Sequence, residues 1–385
     1  MSPEFIPVAV PDIGELEQRY VSEAMRSGWV SSIGEFIGRF ESGFADFCVG
    51  KHGVAVANGT VSIEVVLRAF GIGPGDEVVV PAMTFAAVGA VVVHLGAEPV
   101  LADIDADCWC IDPRAVERAL TPRTKAVVVV HSYGHPADLQ PILDLCRPRG
   151  IRVVEDAAEA HGARYRGRTV GAIADAGCFS FYGNKIITTG EGGIVVTNDD
   201  DLAARVRMLK DHAMDPSRRY YHLEAGYNFR MTNVQAALGC AQLERIAEFM
   251  RKREEILSWY QNDLSRADGV TLNPRMPWAE PVNWLVCSVL DDEIARLRDP
   301  LLAALKVEGI DSRPFFVPLG EMPPYRSARQ ISAEGGGNPV ASRVAKAGFN
   351  LPTSVHLELP QVRRIADAVR GGISRLRGGG PGRGA

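Results

Sequence analysis

Residues 179–193 read FSFYGNKIITTGEGG: an apolar, aromatic strand end, one lysine at Lys185, and a glycine-rich return. The runs 178–182 and 193–197 are predicted to be two strands around that turn. A lysine held at such a junction is partly desolvated, which favours the uncharged amine that attacks carbonyl carbons. In isolation it would read as a surface lysine in a turn, so its neighbours along the chain carry the argument.

Upstream, residues 153–162 read VVEDAAEAHG and place Asp156 and Glu159 just beyond an apolar strand. Open α/β sheets bind their ligands at that end of the strands. Alone, Asp156 would read as a helix cap. Further upstream, residues 56–62 read VANGTVS at a strand-to-helix junction, where free amide donors and the helix dipole can hold an anion. This junction matches neither a P-loop nor the dinucleotide fingerprint. Together the three segments provide an anion cradle, a carboxylate and a carbonyl-reactive lysine in that chain order. Pyridoxal phosphate needs all three, for its phosphate, its ring nitrogen and its aldehyde.

Working outward, β-branched runs at 54–57, 77–80, 99–102, 126–130 and 152–155 alternate with helical stretches at 61–70, 86–94, 113–120 and 139–146. Alternation at these intervals predicts βα units and a mainly parallel sheet. Helices are expected from Asp200 and from Asn233, the latter to about Leu264 and long enough to bridge two lobes. A second αβ region, 265–376, carries a strand near 284–290 and helices near 300–305 and 360–376. The predicted organisation is a large cofactor domain over 1–245, including an N-terminal helical segment, a small domain over 246–377 and a flexible glycine-rich tail over 378–385.

The chain has 385 residues, 46% of them apolar and 23% charged, ordinary globular usage that supports a substantial core. Its 42 basic and 47 acidic residues give a charge of −5, which provides no bulk positive field for nucleic acid. Seven scattered cysteines point to a reducing compartment, and only Cys108 and Cys110 are close, at a spacing unlike a zinc knuckle. The N-terminus lacks an export signal, so a cytoplasmic location is expected. Residues 78–97 carry no charge, but Pro81, Thr84 and His94 argue for a buried strand and helix over a membrane span. Asp103 and Asp105 lack further ligands at metal spacing, and His131 and His135 read as core or loop histidines, so no metal is expected.

The constellation resembles the fold-type-I sugar aminotransferases of the DegT/DnrJ/StrS family, from about Pro11 to the final helix. The resemblance rests on SGWVSS (27–32), EDAAEAH (155–161), FYGNK (181–185), YNFRMTN (227–233) and DSRPFF (311–316). It implies the aspartate aminotransferase-like fold, a large domain with a mainly parallel seven-stranded type of sheet and a smaller C-terminal αβ domain. It further implies that Lys185 forms a Schiff base with pyridoxal phosphate and shuttles protons, while Asp156 salt-bridges the ring nitrogen. Thr60, Val61 through its backbone, and Ser180 would hold the phosphate; Phe85 would stack on the ring, with Thr84 beside it. Asn228 would reach the phosphate in a neighbouring subunit, which makes the enzyme a homodimer with shared sites. Trp29, Thr84, Arg230 and Arg313 are the candidate substrate contacts.

Two departures stand out. Position 159 is glutamate where most of the family has glutamine facing the ring hydroxyl, which predicts a shifted titration of the cofactor-bound lysine. In RPFF (313–316) many relatives carry histidine or tyrosine two residues after the arginine, which weakens transfer of sugar-binding roles from the wider family. The resemblance implies an L-glutamate-dependent transaminase acting at C4 of a nucleotide-linked 4-keto-6-deoxy sugar, with GDP-4-keto-6-deoxymannose as the best match. The alternatives are a dTDP- or UDP-linked keto sugar aminated at C3 or C4, a 3-dehydratase, which Lys185 argues against, and a non-catalytic binding or regulatory protein of the same fold. The partners expected are these small molecules and a second copy of the chain, with no nucleic acid and no membrane.

Overall fold

A computed structural model of the chain describes residues 5–264 and 268–378. Its large sheet has eight strands: β1 (His52–Val56), β2 (Glu77–Pro81), β3 (Glu98–Ala102), β4 (Thr124–Val130), β5 (Arg152–Asp156), β6 (Ala176–Ser180), β7 (Gly193–Thr197) and β8 (Arg329–Ile331). Their spatial order is β1-β7-β6-β5-β4-β2-β3-β8. Only β7 runs against its neighbours; β2 to β6 and β8 pair in parallel where they meet. Val78, Val79 and Val80 on β2, and Val127 to Val129 on β4, are wholly buried. Such unbroken β-branched runs fit strands covered on both faces, as in α/β sheets.

The expected βα alternation is borne out, with ends shifted by one or two residues. The segment 78–97 folds as β2 followed by the helix Ala87–His94, and among the described residues no helix is long and apolar enough to cross a membrane. Beyond the expected seven-stranded sheet, β8 from the C-terminal region adds an eighth strand beside β3. A separate four-stranded sheet pairs Val270–Leu272 with Val286–Leu290, then Gly348–Leu351, then Arg313–Pro314. Of the tail expected over 378–385, residues 379–385 lie outside the described residues.

Two apolar cores share one helix. Asn233–Asp263 has 31 residues, about 46 Å at the α-helical rise. Thr232 caps it: its hydroxyl accepts the Gln235 N–H while the Gln235 side chain accepts the Thr232 N–H, a reciprocal box. Its first half lends Ala236, Ala237, Cys240, Ala241, Ile246 and Phe249 to the large core. Its second half lends Ile256, Leu257 and Tyr260 to the smaller core around Leu301, Phe349 and Val369. All seven cysteines are buried free thiols.

Candidate active site

The parallel strands deliver their carboxyl ends to one rim. Beyond β1 comes Asn58, beyond β2 Thr84, beyond β4 Tyr133, beyond β5 Glu159 and beyond β6 Lys185. Near one end of the rim Gly193 of β7 faces Val56 on one side and Ser180 on the other. A Cβ on Gly193 would lie 2.4 Å from the Asn58 carbonyl oxygen, so only glycine allows this approach.

The helix Gly59–Ala69 starts beside Ser180. Asn58 caps it by accepting the Val61 N–H at 3.0 Å. A Cβ on Gly59 would lie 2.6 Å from Ser180 Cβ, so the first helical turn, with Thr60 and Val61, is pressed against the end of β6. His161 holds Ser180 from below: its Nε2–H donates to the Ser180 carbonyl at 2.9 Å. Burial pushes His161 down to about 3, and the charge of Lys185 acts in the same direction. This ring is therefore a neutral strut among Phe44, Phe179 and Phe181.

Asp156 ends β5 and is 8% exposed. Burial raises its carboxyl, opposed by the Ala158 N–H and the charges of Lys185 and His131. Glu159 is pushed up to about 7 by burial, against the pull of Lys185 and of the Tyr133 N–H. Its Oε1 lies 3.6 Å from Lys185 Nζ, and its Oε2 accepts the Tyr133 N–H at 2.7 Å. Tyr133 adopts φ 54°, a left-handed backbone that bulky side chains avoid. Strain of this kind persists where surrounding contacts over-determine it, and it gathers at functional sites.

The remaining expected residues fall in two groups. Thr84 is buried, while Phe85 is 60% exposed and meets Phe316 edge-on at 5.9 Å. Asn228 is exposed on the segment whose Phe229 carbonyl accepts the Ala57 N–H, so it runs beside the anion cradle. Next to it Arg230 pairs with Asp211. Trp29 is 58% exposed, where its carbonyl accepts from Asn233, and Arg313 is exposed on the small sheet opposite Asn350. Lys185, Glu159, Asp156, Ser180 and the cradle converge; Trp29 and Arg313 sit on the surface.

Sequence reasoning missed Trp284, Tyr133 and Arg253. The Trp284 ring lies under Lys185 Nζ, 4.0 Å from it, and stacks on Tyr133. Nothing local marks Trp284, which reads only as the start of a strand. The residues left as structure have clear backbone duties. Asp103 accepts the N–H groups of Val340 and Ala341, and Asp105 caps the turn at Asp107 and Cys108. His131 is wholly buried and donates through Nε2 to Glu155, whose oxygens also accept the N–H groups of Gly171, Ile173 and Ala174.

The sequence of the DegT/DnrJ/EryC1/StrS aminotransferase family matches this chain over residues 11–370. The chain belongs to this family. It is 44% identical over 365 residues to the GDP-perosamine synthase of Caulobacter vibrioides, spanning 94% of this chain and 97% of that one. It is 38% identical to the GDP-perosamine synthase of Vibrio cholerae, over 95% of this chain and 98% of the other. Among solved structures, S. venezuelae DesV in complex with a ketimine intermediate superposes with a TM-score of 0.86 at 36% identity, covering 96% of this chain and 99% of that one. The expected fold and aminotransferase class are borne out: the enzyme is an α/β aminotransferase.

Proposed function

We propose that the enzyme uses pyridoxal phosphate to move the amino group of L-glutamate to C4 of GDP-4-keto-6-deoxymannose, forming GDP-perosamine and 2-oxoglutarate. The observation that carries the chemistry is Lys185 Nζ, 3.6 Å from a Glu159 carboxylate, at a rim that also holds the buried Asp156. The residues present fit the cofactor. The cradle at Gly59 admits no Cβ, its first turn presents Thr60 and Val61 beside Ser180, and Asp156 is a buried carboxylate in need of a cation. When bound, the cofactor supplies an electron sink for the carbon that loses its proton.

The chain supplies the rest. Thr60, Val61 and Ser180 hold the phosphate at the helix N-terminus. Asp156 keeps the ring nitrogen protonated through a charge-assisted bond. Lys185 Nζ takes the proton from the α-carbon of the donor and delivers one to C4 of the acceptor, as general base and then acid. Phe85 would cover one face of the ring, and Glu159 would face its hydroxyl. Arg230 and Arg313 are proposed contacts for the donor carboxylate or the nucleotide phosphates, with Trp29 and Thr84 bordering the sugar.

The sugar assignment draws on three GDP-perosamine synthases at 38–44% identity over almost the full chain. A dTDP-3-amino-3,4,6-trideoxy-alpha-D-glucose transaminase at 38% identity over 89% of the chain favours a dTDP-linked, C3 reading as the alternative. A homodimer in the cytoplasm completes the proposal. Phe85 and Tyr182, just past the carboxyl ends of β2 and β6, are each more than half exposed, and exposed apolar surface of this kind suits a covering subunit that receives Asn228. Incubation with L-glutamate and a panel of GDP- and dTDP-linked keto sugars, with products identified by mass, tests the assignment. The expected product is the 4-amino GDP sugar. Turnover of dTDP-linked substrates alone would transfer it to the alternative.

A further inference from the structure

Lys185 must leave the cofactor during each half of a transamination cycle, and its free ammonium then needs a place to rest. We infer that Trp284 is a positioning residue that holds this ammonium against its indole face whenever Lys185 is not bonded to the cofactor. The inference rests on the role of Lys185 proposed above.

Lys185 Nζ lies 4.0 Å from the Trp284 ring centroid, within the range of cation–π attraction. Glu159 Oε1, at 3.6 Å, pairs with the ammonium at ion-pair rather than hydrogen-bond distance, and the indole face is a second contact beside it. Trp284 is only 4% exposed, and cation–π attraction is strongest where both partners are desolvated.

The ring is fixed on three sides. Its Nε1–H donates to the Asn184 carbonyl at 2.8 Å, which ties the indole to the residue preceding the lysine. Its face stacks on Tyr133 at 6.2 Å and 12°, and the N–H of Tyr133 is held by Glu159. Its own carbonyl accepts Nη1 of Arg253 at 2.5 Å. Arg253 is 4% exposed, burial pushes it down to about 10, and its Nε has no partner among the described residues. Burying a guanidinium on a single carbonyl is costly, and the contact it makes here is the one that sets the backbone of Trp284. Glu159, Tyr133, Trp284 and Lys185 thus close a ring in which each member locates the next.

A tryptophan that merely filled the core would be replaced as well by leucine as by phenylalanine. The test uses full-length protein treated with hydroxylamine, which takes up any bound aldehyde and leaves Lys185 free. The rate at which an amine reagent modifies Lys185 at fixed pH is then followed by mass spectrometry in wild type, W284F and W284L. W284F, which keeps an aromatic face, is expected to react within about twofold of wild type. W284L loses the stabilised ammonium and is expected to react roughly tenfold faster. Equal rates for W284F and W284L would overturn the inference. If W284L does not fold, W284M takes its place under the same criterion. Borohydride trapping on Lys185 is scored separately, so a failure of the cofactor reading is distinguishable from a failure of this one.

Discussion

Glu159 and Lys185 face each other across 3.6 Å, while the second oxygen of the glutamate is tied to the backbone of Tyr133. The carboxylate thereby serves two masters, the reactive amine and a strained turn. Burial pushes Glu159 up to about 7, so the folded state binds its proton more tightly than the unfolded chain does. A raised carboxyl favours folding at low pH, and that contribution is lost as pH rises from the ordinary glutamate range through about 7. E159Q keeps an acceptor for Tyr133 and removes the titration. Its unfolding free energy should vary less between pH 5 and 8 than that of wild type, by an amount on the order of 1–3 kcal/mol. Parallel melting curves for the two proteins across that window would contradict the assignment.

Lys185 is the group on which transfer depends. K185A should lower turnover by roughly a thousandfold, the scale of a lost proton-transfer catalyst, while leaving the fold intact. Borohydride reduction of wild type should attach the cofactor to the peptide containing Lys185, and that mass shift should vanish in K185A. A trapped cofactor on any other lysine would remove Lys185 from its role.

Gly59 tests the anion cradle. A methyl group 2.6 Å from Ser180 Cβ cannot be accommodated without moving the helix start away from β6. G59A should lose about 1–3 kcal/mol of stability to overpacking and should bind pyridoxal phosphate more weakly. A fluorescence titration with the cofactor, alongside a denaturant melt, reads both. Unchanged affinity in G59A would place the phosphate elsewhere.

Asp156 is held buried against the preference of its charge, with burial as the largest influence on its carboxyl. D156N should therefore leave the cofactor-free chain as stable as wild type at pH 7 or more so, since it removes a buried charge. It should slow transfer by at least about a hundredfold, because the ring nitrogen loses the partner that keeps it protonated. Stability and activity falling together would make Asp156 a structural residue instead.

The site's chemistry was legible wherever it depends on local patterning. Apolar β-branched runs ending in polar junctions marked β1, β5 and β6, and those ends carry Asn58, Asp156 and Lys185 within a few residues. A strand must end somewhere, and in a parallel sheet the residues just past its carboxyl end share one rim, so three short segments sufficed to assemble the lysine, the carboxylates and the cradle. Glycine at 59 and 193 belongs to the same class, since close backbone approach admits no side chain.

Tertiary packing decided the rest. Arg329–Ile331 has no strand signal strong enough to separate it from a loop, and it pairs only because β3 offers an open edge. Trp284 lies roughly a hundred residues from Lys185 and Arg253 lies within a helix read as a bridge, yet both converge behind the lysine. The left-handed turn at Tyr133 is followed by Gly134, also at positive φ, but the strain at Tyr133 itself is held by Glu159 and the Phe315–Phe316 rings. Local propensity acts over a few residues, whereas these contacts exist only once the two cores have closed on each other.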